Sequence, residues 1–153
     1  MNYLVIFFAD YAIFAVFALV FYLWWVGARK TAAHAALASG LSWLVGQFVK
    51  DFFYFPRPFV SQVPLSLHRF TDGSFPSNHT ASAFAISTAV FLARPKLGSA
   101  LLLVSLLIGT ARVLGGVHYP LDVSGGAALG VTTAFLTRKF NFAHILKVFH
   151  LPS

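Results

Sequence analysis

The stretch Ala111-Arg112-Val113-Leu114-Gly115-Gly116-Val117-His118-Tyr119-Pro120-Leu121-Asp122 sets an Arg, a His and an Asp between two strongly apolar segments. Ionisable groups at membrane depth are costly, so they tend to line a site and to have partners. The flanking segments, about 97–114 and 121–137, read as membrane-spanning helices, with Gly115-Gly116 and Pro120 interrupting the helix between them. Two further polar clusters lie upstream: Lys50-Asp51-Phe52-Phe53-Tyr54-Phe55-Pro56-Arg57-Pro58 and Phe75-Pro76-Ser77-Asn78-His79-Thr80. The function turns on whether the three clusters meet.

The 153 residues are 58% apolar, 17% aromatic and only 10% charged, which is the composition of a helical membrane protein. Cysteine is absent, so disulfide and thiolate chemistry are excluded. The formal charge of +7 does not point to nucleic acid, because no basic groove or binding motif accompanies it. Basic residues beside apolar spans set topology instead. A cleavable signal peptide is not expected: the first apolar run lacks a basic leading segment and a small-residue cleavage site.

The expectation is an all-α integral membrane helical bundle, a single domain over 1–153 with about five transmembrane helices. The spans fall at about 3–26, 31–49, 78–93, 97–114 and 121–137. An irregular outer loop covers 51–75, broken by Pro56, Pro58, Pro64, Asp72 and Gly73. A basic tail, 138–153, has the apolar interleaving of an interfacial helix. Trp24 and Trp25 mark an interface belt, and Gly40 and Gly46 suit close helix contacts. Ser77 or Asn78 is the expected cap of the third span.

Arg29, Lys30, Arg94, Lys96, Arg138, Lys139 and Lys147 fall on one face of this arrangement. The positive-inside rule makes that face cytoplasmic, with the N-terminus outside and the C-terminus inside. Lys50, Arg57, Arg69 and Arg112 fall on the other face, with all three polar clusters. Topology alone therefore brings the clusters to one side of the membrane.

Lys50, Arg57 and Arg112 call for an anionic ligand, and the planar guanidinium fork suits phosphate. Ser77, Asn78 and His79 stand at a helix start, where free N–H groups and the macrodipole also favour phosphate. His118 and Asp122, four apart, share a face if helical geometry begins near Tyr119. An Asp accepting from one imidazole nitrogen leaves the other free to attack, and His79 is placed to serve as proton donor. Together these residues make up a phosphoryl-transfer site. No metal-binding His/Cys set or Walker loop is present, so neither a metal nor a cofactor is expected.

Lys50-x6-Arg57-Pro58, Pro76-Ser77-x-His79 and Arg112-x5-His118-x3-Asp122 resemble, in order and spacing, the three signature motifs of the type 2 phosphatidic acid phosphatase superfamily. Vanadium haloperoxidases share these motifs but are soluble, unlike this chain. The resemblance covers roughly residues 40 to 137. It implies that His118 forms a phosphohistidine, that Asp122 orients it and that His79 protonates the leaving group. It further implies that Lys50, Arg57 and Arg112 hold phosphate oxygens, with help from Ser77 and the Asn78 backbone. Asn78 stands where the family has Gly, and Ala111 where it has Ser. Asn78 and the aromatic run Phe7-Phe8-Ala9-Asp10-Tyr11 resemble the undecaprenyl-diphosphatase branch. That branch implies conversion of undecaprenyl diphosphate to undecaprenyl phosphate, which recycles the carrier lipid for cell-wall synthesis. The expected partners are a lipid phosphate or diphosphate and the bilayer of a plasma or inner membrane.

The alternatives are a phosphatidate or phosphatidylglycerophosphate phosphatase and, in another class, a phospholipid-binding or transport protein without hydrolysis. The second is disfavoured because binding needs cations but not a nucleophile, an orienter and an acid. Blander readings accompany each residue: a structural pair for His118 and Asp122, a capping imidazole for His79, a snorkelling anchor for Lys50. Asp10 reads as an interfacial acid or a helix–helix hydrogen-bond partner, with a role in the site as the alternative. His68, Arg69 and Asp72 read as solvated loop, with a lid or headgroup contact as the alternative, and His34, His144 and His150 as interfacial. Gly126 and Gly130 form a GxxxG pattern read as intramolecular packing.

Overall fold

The computed structural model describes residues 3–58 and 73–140, and every regular element in them is helical. There are five helices: α1 (Tyr3–Trp25), α2 (Arg29–Phe52), α3 (Asn78–Ala93), α4 (Pro95–Leu114) and α5 (Pro120–Thr137). The tail beyond 140 and the loop residues His68, Arg69 and Asp72 lie outside the described residues, as do His144 and His150.

Helix α1 contains a π turn, Phe7–Tyr11, in which the Ala12 N–H reaches the Phe7 carbonyl. It ends in a Schellman turn: Gly27 N–H to Trp24 O at 3.2 Å and Ala28 N–H to Leu23 O at 2.8 Å. Gly27 takes φ +84°, a value that a Cβ disfavours. Helix α2 is longer than the expected 31–49 because the charged residues at its two ends continue the helix rather than stopping it.

Of the five helices, α1, α2 and α4 are long and apolar enough to cross a membrane. Helix α3, at 16 residues, is shorter than a typical span, and the reason is its position. It packs against α2, α4 and α5, and ten of its 16 residues are buried. Its inward Ala, Ser and Thr side chains meet protein rather than lipid, so no long apolar run is required of them. The glycine pair in α5 allows this closeness. A Cβ on Gly126 would lie 2.6 Å from the Ser77 carbonyl oxygen, and one on Gly130 would overlap the Ala81 carbonyl.

Buried polar bonds tie the bundle together. Ser87 and Ser105 hydroxyls meet at 2.7 Å between α3 and α4. His34, expected at the interface, is instead buried, and its Nε2 lies 2.9 Å from the Ala134 carbonyl of α5. Its place near the chain's basic turn put it at the right end of the bundle, but its face of α2 points inward. Lys30, Thr31, His34, Leu92, Ala93 and Arg138 share one hollow, so the basic turns do gather at one end. The three polar clusters gather at the other.

Candidate active site

Helix α4 ends in a second Schellman turn, with Gly116 N–H to Val113 O at 2.9 Å and Val117 N–H to Arg112 O at 3.2 Å. Gly116 supplies the required positive φ, +72°. The turn folds His118 back over the helix end that carries Arg112. Pro120 then opens α5 at its first position, where a missing N–H costs nothing. Asp122 sits in the first turn and accepts the Tyr119 N–H at 2.8 Å and His118 Nδ1–H at 3.3 Å.

That bond fixes the imidazole. With Nδ1 donating to Asp122, Nε2 carries the lone pair, and Arg57 Nη1 donates to it at 3.2 Å. The same Nη1 lies 3.1 Å from the Val117 carbonyl. His118 is 3% exposed, and burial pushes its pKa down to about 4. The Asp122 hydrogen bond opposes this shift, while the cations Arg112, Arg57 and Lys50 add to it. The ring is therefore neutral near pH 7, with an available lone pair.

Lys50, Arg57, Asn78, His79, Arg112 and His118 line one cavity of about 360 Å³. Six of the eight candidate residues thus meet. Asp122 lies behind His118 and reaches the cavity only through it. Ser77 is fully buried at the N-cap position of α3, but its side chain makes no capping bond. Its Oγ accepts from the Thr80 hydroxyl at 3.0 Å instead, and its backbone N–H donates to the Asp122 carbonyl at 3.0 Å. Its side chain is thus absent from the cavity lining, while its backbone joins the starts of α3 and α5. Lys50 is 4% exposed, and its ammonium donates to the Gly73 and Ser74 carbonyls, so it points inward rather than snorkelling.

Two further residues have a place here: Asp10, for which a site role is the less favoured reading of the sequence, and Gln47, which no motif marks. Asp10 accepts from Arg112 Nη1 at 3.0 Å, and the same nitrogen donates to the Ala9 carbonyl at 3.1 Å. Both acceptors lie in the π turn of α1, an irregularity often found at functional sites. The helix–helix reading of Asp10 is the one the geometry matches, and its partner is a cavity residue. Gln47 also lines the cavity; its amide donates to Asp51 at 3.2 Å, and its carbonyl faces the Asn78 amide at 3.4 Å. A Cβ on Gly46 would overlap Asn78 Oδ1, so this glycine makes room for the Asn that stands at the motif's Gly position. In the sequence Gly46 reads only as a close-contact glycine, and Gln47 carries no motif signal.

Residues 31–145 match the model of the PAP2 superfamily. The chain is 35% identical over 150 residues to undecaprenyl-diphosphatase BcrC of Bacillus subtilis (strain 168), covering 95% of this chain and 77% of that one. The crystal structure of Aquifex aeolicus LpxE superposes with a TM-score of 0.75 at 30% identity, over 92% of this chain and 88% of that one. A transmembrane PAP2-type phosphatidylglycerolphosphate phosphatase from Bacillus subtilis shares the fold, with a TM-score of 0.67 at 22% identity over 92% and 74% of the two chains. The chain is an integral membrane protein with several apolar helices, and it belongs to the PAP2 superfamily of lipid phosphatases.

Proposed function

We propose that this protein hydrolyses undecaprenyl diphosphate to undecaprenyl phosphate at the outer face of a plasma or inner membrane, with all five helices spanning and the N-terminus outside. The observation that carries the reading is the Arg57–His118–Asp122 chain of contacts, set in a cationic cavity beside His79. Likeness to an undecaprenyl-diphosphatase at 35% identity supports the choice of substrate.

In the proposed mechanism, the terminal phosphate enters the cavity and Arg57 turns its fork from His118 Nε2 to a phosphate oxygen. Arg112 and Lys50 take other oxygens, and the first N–H groups of α3 add the helix-end dipole. His118 Nε2 attacks the terminal phosphorus, a P–N bond forms, and the bond from phosphorus to the bridging oxygen breaks. His79, entering this step as the imidazolium beside the bound diphosphate anion, gives its proton to that oxygen and becomes neutral, releasing undecaprenyl phosphate. The negative charge of Asp122 stabilises the cationic imidazole ring of the phosphohistidine. Water, losing a proton to His79, then attacks phosphorus; orthophosphate leaves and the His118 lone pair returns.

The test is orthophosphate release from undecaprenyl diphosphate in detergent, compared with a panel of lipid mono- and diphosphates. His118→Ala is expected to lower turnover by about 10⁴-fold or more, as loss of a nucleophile does elsewhere. Activity retained in that variant would rule out the nucleophile. Lipid binding without turnover in the wild type would favour the non-hydrolytic class.

A further inference from the structure

A second hollow, of about 540 Å³, runs between α1 and α2 with α3 as its floor. Phe17, Trp43 and Ser82 line both this hollow and the phosphate cavity, so the two are continuous. From α2 it is bordered by Ala32, Ala36, Gly40 and Trp43, three of them small. Phe17, Phe21 and Trp24 form the opposite wall at helical spacing. The floor is Ser82 and Ile86 of α3, and the same helix face continues past Ser82 to His79 in the cavity. The groove thus opens into the cavity at Ser82, one helical turn along α3 from His79, the proton donor proposed for the leaving group.

We infer that this groove seats one long hydrocarbon chain of the substrate, an isoprenoid tail on the leaving group. The inference rests on the proposed reaction and narrows its substrate class. In-line displacement puts the departing oxygen on the side away from His118 Nε2, within reach of His79. Whatever is bonded to that oxygen leaves the cavity along the His79 face, and the apolar groove opens there. From Lys50 to Ala32 is 18 residues of α2, about 27 Å of helix, close to the ~30 Å hydrocarbon thickness of a bilayer. The groove lies between a single pair of helices, α1 and α2, so the proposal is for one chain. Gly40 lies about halfway, about 15 Å from Lys50 along the helix. Its α-carbon faces open space: a Cβ there meets nothing within 4 Å. A plain lipid-facing surface has no need of a recess that leads to the reacting atoms.

Gly40→Phe puts a ring into the recess from a position where a Cβ meets nothing within 4 Å. It is expected to raise KM for undecaprenyl diphosphate by about tenfold or more. Isopentenyl diphosphate, whose single isoprene unit does not reach Gly40, is expected to keep its kcat/KM within about twofold. An unchanged KM for the long substrate, or an equal loss on both, overturns the groove. A second measurement uses the wild-type protein and is independent of how the variant folds. A polyprenyl diphosphate carrying a benzophenone in its tail should photolabel peptides containing Phe17–Trp24 or Ala32–Trp43, and labelling only elsewhere overturns the proposal. Absence of phosphate release from either substrate by the wild type would instead sink the proposed reaction, and photolabelling would still report on the groove.

Discussion

Helices α3 and α1 border the same cavity and are built in opposite ways. Helix α3 is walled in by α2, α4 and α5, and its buried face is Ala, Ser and Thr with few large side chains. Helix α1 leaves Phe7, Tyr11, Phe14, Phe17 and Phe21 exposed and carries a π turn. The family match, residues 31–145, includes α3 and excludes α1. The difference teaches where change is tolerated. Helix α3 holds His79, the proposed proton donor, by close packing that has no slack, whereas α1 borders the cavity with one carboxylate and one groove wall. In the proposed mechanism the core sets the reaction, and the N-terminal helix sets how tightly one cation is held and, by the groove inference, which tail fits.

The largest expected effect tests the packed side. Gly130→Leu drives a side chain into the Ala81 carbonyl and the Ala85 backbone, neither of which can yield. A loss of about 3 kcal/mol or more is expected, read as a large fall in Tm or failure to elute as a single species in detergent. The matching change on the exposed side of α1, Ala18→Leu, should stay within about 0.5 kcal/mol. Equal losses from the two would erase the contrast.

Next is the carboxylate of α1. Arg112 is 1% exposed, so removing Asp10 leaves a buried guanidinium short of one acceptor. Asp10→Ala is expected to lower kcat/KM about 10²-fold, and Asp10→Asn, which keeps an acceptor, by less. A positioning role predicts non-additivity: Asp10→Ala combined with Arg112→Ala should be little worse than Arg112→Ala alone. Orthovanadate should also inhibit the Asp10→Ala protein more weakly, a change that mere loss of stability would not produce. Full additivity would separate Asp10 from the site.

What could be read in the chain follows from this contrast. Lys50, Arg57, His79, Arg112, His118 and Asp122 stood out because each is polar amid apolar sequence and lies at motif spacing. Their shared face followed from the arrangement of the basic turns. Residues whose roles depend on tertiary approach were opaque. Nothing in the sequence around Asp10 announces a π turn that aims it at a residue 102 positions away. The side chain of Ser77 looked like a cap or a phosphate ligand, and only packing against Thr80 turns it elsewhere. Gly40 read like Gly46 as a contact glycine, yet one opens on a groove and the other on Asn78. His34 had an interfacial position and a buried face. His34→Ala is expected to cost about 1–3 kcal/mol of stability, read by thermal unfolding, with kcat/KM unchanged.

The smallest expected effect is a shift in pH profile, and it tests how far the core controls its own nucleophile. In the proposed mechanism His118 reacts as the neutral ring, so kcat/KM should fall as pH drops through its pKa. With that pKa at about 4, the wild-type acid limb should lie well below the ordinary imidazole value of 6.5. Arg57→Gln removes one of the cations that disfavour the protonated ring. Its acid limb should therefore move upward, but not as far as 6.5, because burial is the first cause of the depression and the other cations remain. Asp10→Ala leaves Arg57, Lys50 and Arg112 in the chain and should lower kcat/KM with little movement of the limb. If the limb of Arg57→Gln coincided with that of the wild type, the contact between Arg57 and His118 Nε2 would have no hold on the nucleophile's charge. If Asp10→Ala moved the limb further than Arg57→Gln, α1 would be governing the nucleophile, and the division between a core that sets reactivity and a helix that sets fit would be lost.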